Sequence, residues 1–382
     1  MDFELSEEQR LLKDSVDRLL ADRYDFEARR RHMDSPDGWG RDIWRQYAEL
    51  GLLGLPFDEK HGGFGGGPVE TAIVMEAFGR ALALEPYLAT VVLGGGLVRL
   101  AGNDAQRGAI LPKVADGSLL LAFAHAERQS RYDLGDVTTS AKKDGAGYVL
   151  SGAKSLVLHG DSAGQFVVSA RISGERKDRD GIGLFLVDGK ANGLARRGYQ
   201  TADGLRAAEI TLEDVRVAAD AALGVPGKAF PAIERIVHEA IGALAAEAVG
   251  AMTAMHEMTV EFLRTRKQFG VPIGSFQVLQ HKAVDMLVAI EQARSIMFYG
   301  TMMSADPDAD ARGKAMSAVK AQIGNSGRIV GQIGTQLHGG IGMTMEYKGG
   351  HYFKRLAIID SMFGNADHHL KALARSGGLG VA

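Results

Sequence analysis

The stretch Gln336-Leu337-His338-Gly339-Gly340-Ile341-Gly342 ends a helical pattern in a glycine-rich turn. Backbone amides that glycine leaves uncovered can approach a phosphate or an adenine closely, so Gln336, Gly339 and Gly340 are candidate ligand-binding residues. A plain helix end followed by a loop explains the same residues equally well. By itself, the turn predicts a helix end and leaves its function open.

A second stretch, Arg266-Lys267-Gln268-Phe269-Gly270, closes the long helical pattern that precedes it. The guanidinium of Arg266 could clamp a pyrophosphate, and the ring of Phe269 could cover an adenine or the edge of a flavin. An ordinary basic helix end is the alternative. The two stretches are informative only together, in this order and within the layout of the whole chain.

The spacing of apolar residues divides the chain into three parts. Helical spacing dominates 1–118, short apolar segments between turn residues fill 119–225, and helical spacing resumes over 226–382. The middle part predicts a small antiparallel β-barrel or sandwich, and the Ala-rich last part predicts a four-helix bundle. The predicted fold class is α+β, with an N-terminal helical domain, a β-domain and a C-terminal helical bundle.

The composition excludes several classes of function. A net charge of -3 without a basic stripe argues against a nucleic-acid partner. The absence of cysteine excludes disulfides, a thiolate nucleophile and a cysteine-based metal site, and we expect no metal. No secretory signal is visible, and we expect a cytoplasmic protein without membrane insertion. One basic cluster, Arg29-Arg30-Arg31-His32, is interpreted as a solvated helix end, with an anion site as the alternative.

In combination, the two stretches resemble the acyl-CoA dehydrogenase family, whose pattern is Arg-x-x-Phe-Gly, then Pro-Ile…Phe-Gln, then Gln-x-x-Gly-Gly-x-Gly. The middle element here is Pro272-Ile273-Gly274-Ser275-Phe276-Gln277, and the resemblance extends over essentially the whole chain. It implies an FAD cofactor and an acyl-CoA substrate. In that family these residues hold the ADP part of FAD and reach the flavin of a neighbouring subunit. Carried over, the FAD contacts are Arg266, Gln268, Phe269, Phe276, Gln277, Gln336, Gly339 and Gly340.

The resemblance also implies that a carboxylate removes the α-proton of the thioester while the flavin takes a hydride from the β-carbon. The loop that commonly carries this base reads Phe363-Gly364-Asn365-Ala366, so Gly364 occupies the place of the glutamate. Other relatives carry the base on the long helix, at positions that hold Ala and Ile here. Glu239 and Glu247 on that helix are weak substitutes, because a buried ion pair or hydrogen bond is the favoured interpretation of each.

Two β-domain signatures are degraded. The family's Thr-Glu-Pro and glycine-rich turn ending in Ser-Asp becomes Ala126-Glu127-Arg128-Gln129-Ser130-Arg131-Tyr132-Asp133, and its Lys-x-Trp-Ile-Thr becomes Lys154-Ser155-Leu156-Val157-Leu158. The ring that flanks the flavin and the hydroxyl that bonds it are missing. Residues that serve a neighbour's FAD are thus intact, while those for the chain's own flavin are lost. This combination resembles the small subunits of heteromeric enzymes such as pimeloyl-CoA dehydrogenase.

The sequence therefore predicts a subunit that completes the FAD site of a homologous acyl-CoA dehydrogenase chain, within a dimer or tetramer. The resemblance implies an electron-transfer flavoprotein as the electron acceptor. Two alternatives stay open: a self-sufficient homo-oligomer with a displaced base, and an acyl-CoA-binding or regulatory homologue without flavin. Straight-chain, dicarboxylic and steroid side-chain thioesters are all compatible with this sequence.

Overall fold

The computed structural model describes residues 5–377, whose contacts form two compact units. The unit that we call the helical unit comprises Met1–Arg31, Pro68–Ala83 and Ile241–Ala382, and the sheet unit comprises His32–Gly67 and Leu84–Ala240. The predicted division into 1–118, 119–225 and 226–382 stays a prediction. The predicted fold class is confirmed, because helices come first along the chain, then a sheet, then helices again.

The α-helices within the described residues are α1 (Glu7–Arg23), α2 (Phe26–Met33), α3 (Arg41–Glu49), α4 (Pro68–Ala81), α5 (Gly96–Ala101), α6 (Asp104–Ala115), α7 (Phe230–Thr265), α8 (Gln277–Met303), α9 (Ala309–His338), α10 (Lys348–Ser361) and α11 (Ala366–Arg375). A π-helical segment, Leu88–Gly95, leads into α5. The strands are β1 (Leu121–Ala124), β2 (Ser140–Asp144), β3 (Gly147–Leu158), β4 (Gln165–Arg171), β5 (Ile182–Asp188), β6 (Leu194–Gln200), β7 (Arg206–Ala218), β8 (Ala222–Leu223), β9 (Lys267–Gln268) and β10 (Val271–Pro272).

Local sequence explains where several helices begin. Ser6 and Gln9 form a capping box at the start of α1, in which each side chain accepts a hydrogen bond from the backbone amide of the other residue. The Asp308 carboxylate likewise accepts the amides of Asp310 at 2.9 Å and Ala311 at 3.2 Å at the start of α9. These caps satisfy amides that have no partner within the helix.

In the helical unit, α4 and α7 meet backbone to backbone. A Cβ added at Gly79 would lie 1.9 Å from the carbonyl oxygen of Glu247, and one at Gly250 would lie 1.9 Å from that of Glu76. Any side chain at either position would push the helices apart, so this reciprocal pair of glycines sets the separation of the helices. The small residues of α7 thus serve close packing, as the sequence predicts.

The sheet unit contains eight strands in the order β6-β7-β3-β2-β4-β5-β8, with β1 beside β4. The predicted antiparallel arrangement holds for every neighbouring pair in this sheet except β1–β4 and β2–β4, which are parallel. The register of β3 against β7 shifts between Lys154 and Val157, where Leu156 has a φ of 51°. This bulge turns the Leu156 side chain outward, and it is 49% exposed.

Among residues 5–377, one helix, α7, is apolar and long enough to cross a membrane by length and composition alone. Within its most apolar window, 83% of the residues are buried inside the protein. Such burial is typical of a core helix, because a membrane-spanning helix would expose this surface to lipid.

The interpretation of the basic cluster as a solvated helix end is wrong for Arg29. This side chain is 1% exposed, and its Nε donates a hydrogen bond to the carbonyl of Leu82 at 2.8 Å. Its Nη1 lies 2.9 Å from Nδ1 of His351, 322 residues away in the sequence. A local pattern could not reveal this contact, because the partner belongs to a distant helix.

Candidate functional site

The end of α7 leads into a small hairpin that presents an aromatic ring to solvent. β9 and β10 pair with Gln268 opposite Val271, and the two residues between them are Phe269 and Gly270. Their φ angles are +54° and +80°, as a type I′ turn requires. Phe269 is 91% exposed, although Asn or Gly would suit this backbone better. An exposed ring held in a strained turn points to a role outside the packing of this chain.

The residues that flank the hairpin are exposed too. Arg266 and Gln268 lie at its base, and Gln277 is the first residue of α8. Phe276, just before α8, is 37% exposed and meets the ring of Phe269 edge to face at 6.1 Å between ring centroids. The predicted contacts in 266–277 thus form one continuous exposed group.

The glycine-rich turn lies at the end of α9. Helix α9 ends at His338, and a 3-10 turn spans Gly339–Met343. A Cβ added at Gly339 or Gly340 would meet no atom within 4 Å, so the space beside this backbone is open. The side chain of Gln336 is exposed at the same helix end.

Ring contacts bring the two stretches together. The imidazole of His338 lies 4.7 Å from the ring of Phe262 and 5.0 Å from that of Tyr347, measured between centroids. Phe262 precedes Arg266 by one helical turn, so the end of α9 lies beside the end of α7. A guanidinium, side-chain amides, an aromatic ring and uncovered backbone amides together fit the pyrophosphate and adenine of FAD.

The loop at the usual position of the base has no room for a side chain. Gly364 has a φ of +108°, and a Cβ there would lie 2.5 Å from Nε2 of His369 and 2.8 Å from Cδ2 of His368. His369 Nε2 lies 2.9 Å from the carbonyl of Phe363, which fixes the imidazole in place. Burial lowers the pKa of His369 to about 4, so the ring is neutral at pH 7. In this backbone a glutamate at 364 would require the loop to rearrange.

Both substitute bases are engaged in ion pairs. Glu247 accepts two hydrogen bonds from Arg355, from Nε at 2.6 Å and Nη2 at 2.7 Å, and both side chains are buried. Glu239 lies 2.5 Å from Arg99 and 2.9 Å from Arg235. These contacts agree with the ion-pair interpretation of each residue. Each of the two carboxylates thus has at least one arginine within ion-pair distance.

Two of the residues that survive from the β-domain signatures, Glu127 and Lys154, pair with each other in the core. The ammonium of Lys154 donates to Glu127 at 2.8 Å, and both side chains are almost fully buried. Glu127 also accepts the amides of Thr138 at 2.9 Å and Thr139 at 3.0 Å, and Nε2 of Gln129 at 2.6 Å. Burial lowers the pKa of Lys154 to about 8, against the opposing effect of Glu127. This pair therefore anchors the sheet and the loop after β1.

Several of the replaced residues of the same signatures are exposed. Arg128 and Gln129 are exposed, and Leu156 lies outward on its bulge where the family has tryptophan. Among the replaced positions, Arg128, Gln129 and Leu156 are thus exposed, whereas Ser130 and Val157 are buried.

Sequence reasoning missed the partners of the acidic residues. Arg355 is 108 residues from Glu247, and Lys154 is 27 residues from Glu127. For the second pair a signal existed, since both residues belong to retained signature positions whose neighbours had changed. For the first pair the described structure offers no local sequence signal, because α7 and α10 meet only in the folded unit.

Three family models match the chain in order. They are the acyl-CoA dehydrogenase N-terminal domain over residues 6–118, the middle domain over 122–215 and the C-terminal domain over 230–378. Together they span most of the sequence.

Individual proteins match over similar lengths. Probable acyl-CoA dehydrogenase YngJ of Bacillus subtilis is 31% identical over 353 residues, covering 91% of this chain and 92% of that protein. A solved variant of the Tcur3481-Tcur3483 steroid ACAD is 30% identical, with a TM-score of 0.88 and 98% of each chain covered. A chain of the ChsE4-ChsE5 complex from Mycobacterium tuberculosis is 25% identical, with a TM-score of 0.89 and 100% of each chain covered.

Proposed function

Because this chain belongs to the acyl-CoA dehydrogenase family, whose members are FAD-dependent oxidoreductases acting on the CH–CH bond of acyl-CoA thioesters, we propose that it is the FAD-completing subunit of a heteromeric enzyme. Its hairpin and glycine-rich turn hold the ADP part of an FAD whose flavin lies mostly in a homologous partner chain. When bound, FAD supplies the hydride acceptor for α,β-desaturation.

The observation that carries the proposal is the hairpin. A phenylalanine that is 91% exposed and held at a φ of +54° contributes almost no packing to its own chain. Such an exposed ring is explained by a bound ligand that covers it. The adenine of FAD is a flat aromatic ring that could stack on the ring of Phe269. The open space beside Gly339 and Gly340 supports the same conclusion, because it leaves their amides accessible to a phosphate.

The β-domain supports the proposal that the flavin lies mostly in the partner chain. A chain that bound its own flavin would need the ring and the hydroxyl that face the flavin in the second signature, yet of that signature only Lys154 is retained, and it pairs with the buried Glu127. Retention of that pair is explained by the stability of the sheet, because loss of either partner would leave a buried unpaired charge. A vestigial flavin site within an intact domain accounts for both observations.

Within residues 5–377, the family's usual base position and both substitutes on α7 offer no free carboxylate, which supports proton removal by the partner. Gly364 has no room for a carboxylate, and Glu239 and Glu247 are held in ion pairs. The α-proton would then be taken by a carboxylate of the homologous chain, which needs only an apolar setting to raise its pKa.

Exposed apolar residues along α8 support association with a homologous subunit in a dimer or tetramer. Val284, Leu287 and Val288 are 55%, 44% and 51% exposed, and Tyr299 and Met302, further along the helix, are 41% and 40% exposed. The exposed polar residues Glu291, Gln292 and Ser295 separate these two apolar groups, and exposed apolar groups on one helix face are typical of protein interfaces. The ChsE4-ChsE5 relative is itself described as a complex of two proteins.

Two alternatives make different demands on this chain. A self-sufficient homo-oligomer would need a base from Glu239 or Glu247 and a flavin site in the β-domain. A flavin-less acyl-CoA-binding homologue would leave no reason to keep Arg266 and the Gln336–Gly340 turn exposed. The cytoplasmic location, expected because no secretory signal is visible, remains a prediction, and so does the electron-transfer flavoprotein acceptor that the family resemblance implies.

The deciding experiment compares the visible spectrum of the purified chain alone with that of the chain co-expressed with a homologous subunit. We expect a colourless chain that forms a yellow complex, bleached by acyl-CoA. A yellow, substrate-bleached chain alone would support the self-sufficient enzyme instead. A complex that stays colourless would support the flavin-less homologue.

A narrower experiment uses Arg266→Ala in the mixed complex, with Arg264→Ala as the matched control. Both arginines are exposed and lie two residues apart at the same helix end. Loss of a bidentate contact to pyrophosphate should weaken FAD binding by roughly 2 kcal/mol, or about thirtyfold. Equal FAD affinity in the two variants would contradict the assigned contact.

A further inference from the structure

His351 connects two parts of the helical unit that are far apart in sequence. Its Nε2 lies 2.9 Å from the carbonyl oxygen of Met345, and its Nδ1 lies 2.9 Å from Nη1 of Arg29. Since a guanidinium can only donate, Nδ1 must accept, and the ring proton therefore resides on Nε2 and is donated to Met345. His351 is neutral in this arrangement, and Arg29 selects which tautomer it adopts.

Met345 lies in the short loop, residues 344–347, between the glycine-rich turn and α10. Ile341, Met343 and Met345 are 46%, 72% and 46% exposed, so side-chain packing does little to fix this segment. The hydrogen bond from His351 fixes the carbonyl at its end. Arg29 is in turn immobile, because it is buried and donates to the carbonyl of Leu82 at 2.8 Å.

We propose that Arg29 and His351 are positioning residues for the FAD-completing turn Gly339–Met343. Arg29 orients the imidazole of His351, and His351 holds the loop that directly follows the turn through the carbonyl of Met345. The inference rests on the proposed function. It gives a role to Arg29 of the basic cluster, which is not among the FAD contacts.

The charges around His351 favour the neutral ring that this arrangement needs. The groups that face it are Arg29 and Arg30 from α2 and Lys354 from its own helix, and all three carry positive charge. Burial is the main cause that lowers the pKa of His351 below 6.5; the hydrogen bond to Met345 opposes it and the three cations add to it. Protonation adds a proton to Nδ1 and removes the acceptor of the hydrogen bond from Arg29. Because the folded pKa lies below the unfolded value of 6.5, the stabilisation by this hydrogen bond is fully present above about pH 6.5 and is lost as the pH falls through the folded pKa.

Hydrogen exchange of the chain alone tests the positioning without FAD. The amide of Thr344 donates to the carbonyl of Ile341 at 3.1 Å and reports on the turn. In Arg29→Met and His351→Gln we expect its protection to fall roughly tenfold, the equivalent of one lost hydrogen bond. Arg30→Met, on the same helix, is the matched control and should leave protection unchanged. Equal protection in all four proteins would overturn the inference.

The pH dependence separates positioning from a general structural role. After correction for intrinsic exchange, wild-type protection of Thr344 should decrease between pH 7.5 and 5.5, while His351→Gln should show a flat profile. The same slope in both proteins would contradict the role of the imidazole. If Arg29→Met does not fold, the His351→Gln profile decides the question.

FAD affinity of the mixed complex completes the test. We expect Arg29→Met to weaken FAD binding roughly tenfold, in line with one lost hydrogen bond, and Arg30→Met to have no effect. If the wild-type complex binds FAD and Arg29→Met binds it equally well, this inference is wrong and the proposed function stands. If the wild-type complex binds no FAD, the proposed function is wrong, and this inference falls with it.

Discussion

Replacement of Phe269 by asparagine should separate the stability of this chain from its function. Phe269 has a φ of +54° and is 91% exposed, so its ring is held in an unfavourable backbone conformation with little burial in return. Asparagine tolerates this conformation well and lacks the extra unfolded-state freedom of glycine. We therefore expect Phe269→Asn to stabilise the isolated chain.

The size of the effect follows from two terms. Relief of the left-handed conformation contributes about 1 kcal/mol. Loss of the exposed edge-to-face contact with Phe276 costs about 0.5 kcal/mol. The net gain is about 0.5 kcal/mol. With an unfolding entropy of about 2.1 cal/mol/K per residue, this corresponds to an increase in melting temperature of roughly 0.6 °C for a chain of 382 residues.

Function should change in the opposite direction. Stacking of a base on an aromatic side chain is worth about 1–3 kcal/mol, so Phe269→Asn should weaken FAD binding in the mixed complex by about tenfold or more. The assays are thermal unfolding of the chain alone at fixed concentration and FAD titration of the complex. Phe269→Leu is the matched control, because it keeps the backbone strain and removes only the ring.

We expect Phe269→Leu to bind FAD as weakly as Phe269→Asn but to show no gain in melting temperature. A lower melting temperature in Phe269→Asn would refute the assignment of strain to this turn. Unchanged FAD affinity in both variants would refute the stacking role of the ring.

Three further predictions concern the helical unit. Glu247→Gln removes one partner of the buried ion pair with Arg355 and should lower the free energy of unfolding by about 3–5 kcal/mol. We expect acyl-CoA turnover per folded complex to stay the same. Loss of turnover without loss of stability would instead identify Glu247 as a base. Gly250→Ala should lower the free energy of unfolding by about 1–3 kcal/mol, because the added methyl group would force α4 and α7 apart. Gly108→Ala in α6 is the control and should raise the melting temperature, because a Cβ there meets no atom within 4 Å. Equal shifts in melting temperature for the two variants would contradict the close approach of the helices. The pKa of His369 is about 4 in the folded chain instead of 6.5. Its contribution of about 3 kcal/mol to the free energy of unfolding is therefore present above pH 6.5 and lost as the pH falls through 4. If the melting temperature of His369→Gln had the same pH dependence as that of the wild type, His369 would be excluded as the cause of the pH dependence.

Much of the fold could be predicted from local pattern. The helix after Ser6 begins where the capping box places it, and the apolar segments around Tyr148, Phe166 and Leu184 are strands β3, β4 and β5. These signals are local, because a cap depends on residues three apart and a strand on alternation over a few residues. The parallel pairing of β1 with β4 was not predicted, since pairing joins segments that share no local pattern.

The sequence by itself determined the family and the chemistry of the exposed motifs, because Arg266, Phe269 and the Gln336–Gly340 turn are recognised by residue type and order. Only the tertiary structure decided what the ionisable residues do. The sequence shows Glu247, Glu127 and Arg29 only as charged residues, whereas the structure buries each of them against a distant partner. The partner is 108 residues away for Glu247, 27 for Glu127 and 322 for Arg29. Whether a carboxylate is a base or half of an ion pair depends on burial and counter-charge, and both are set by distant chain segments packing together.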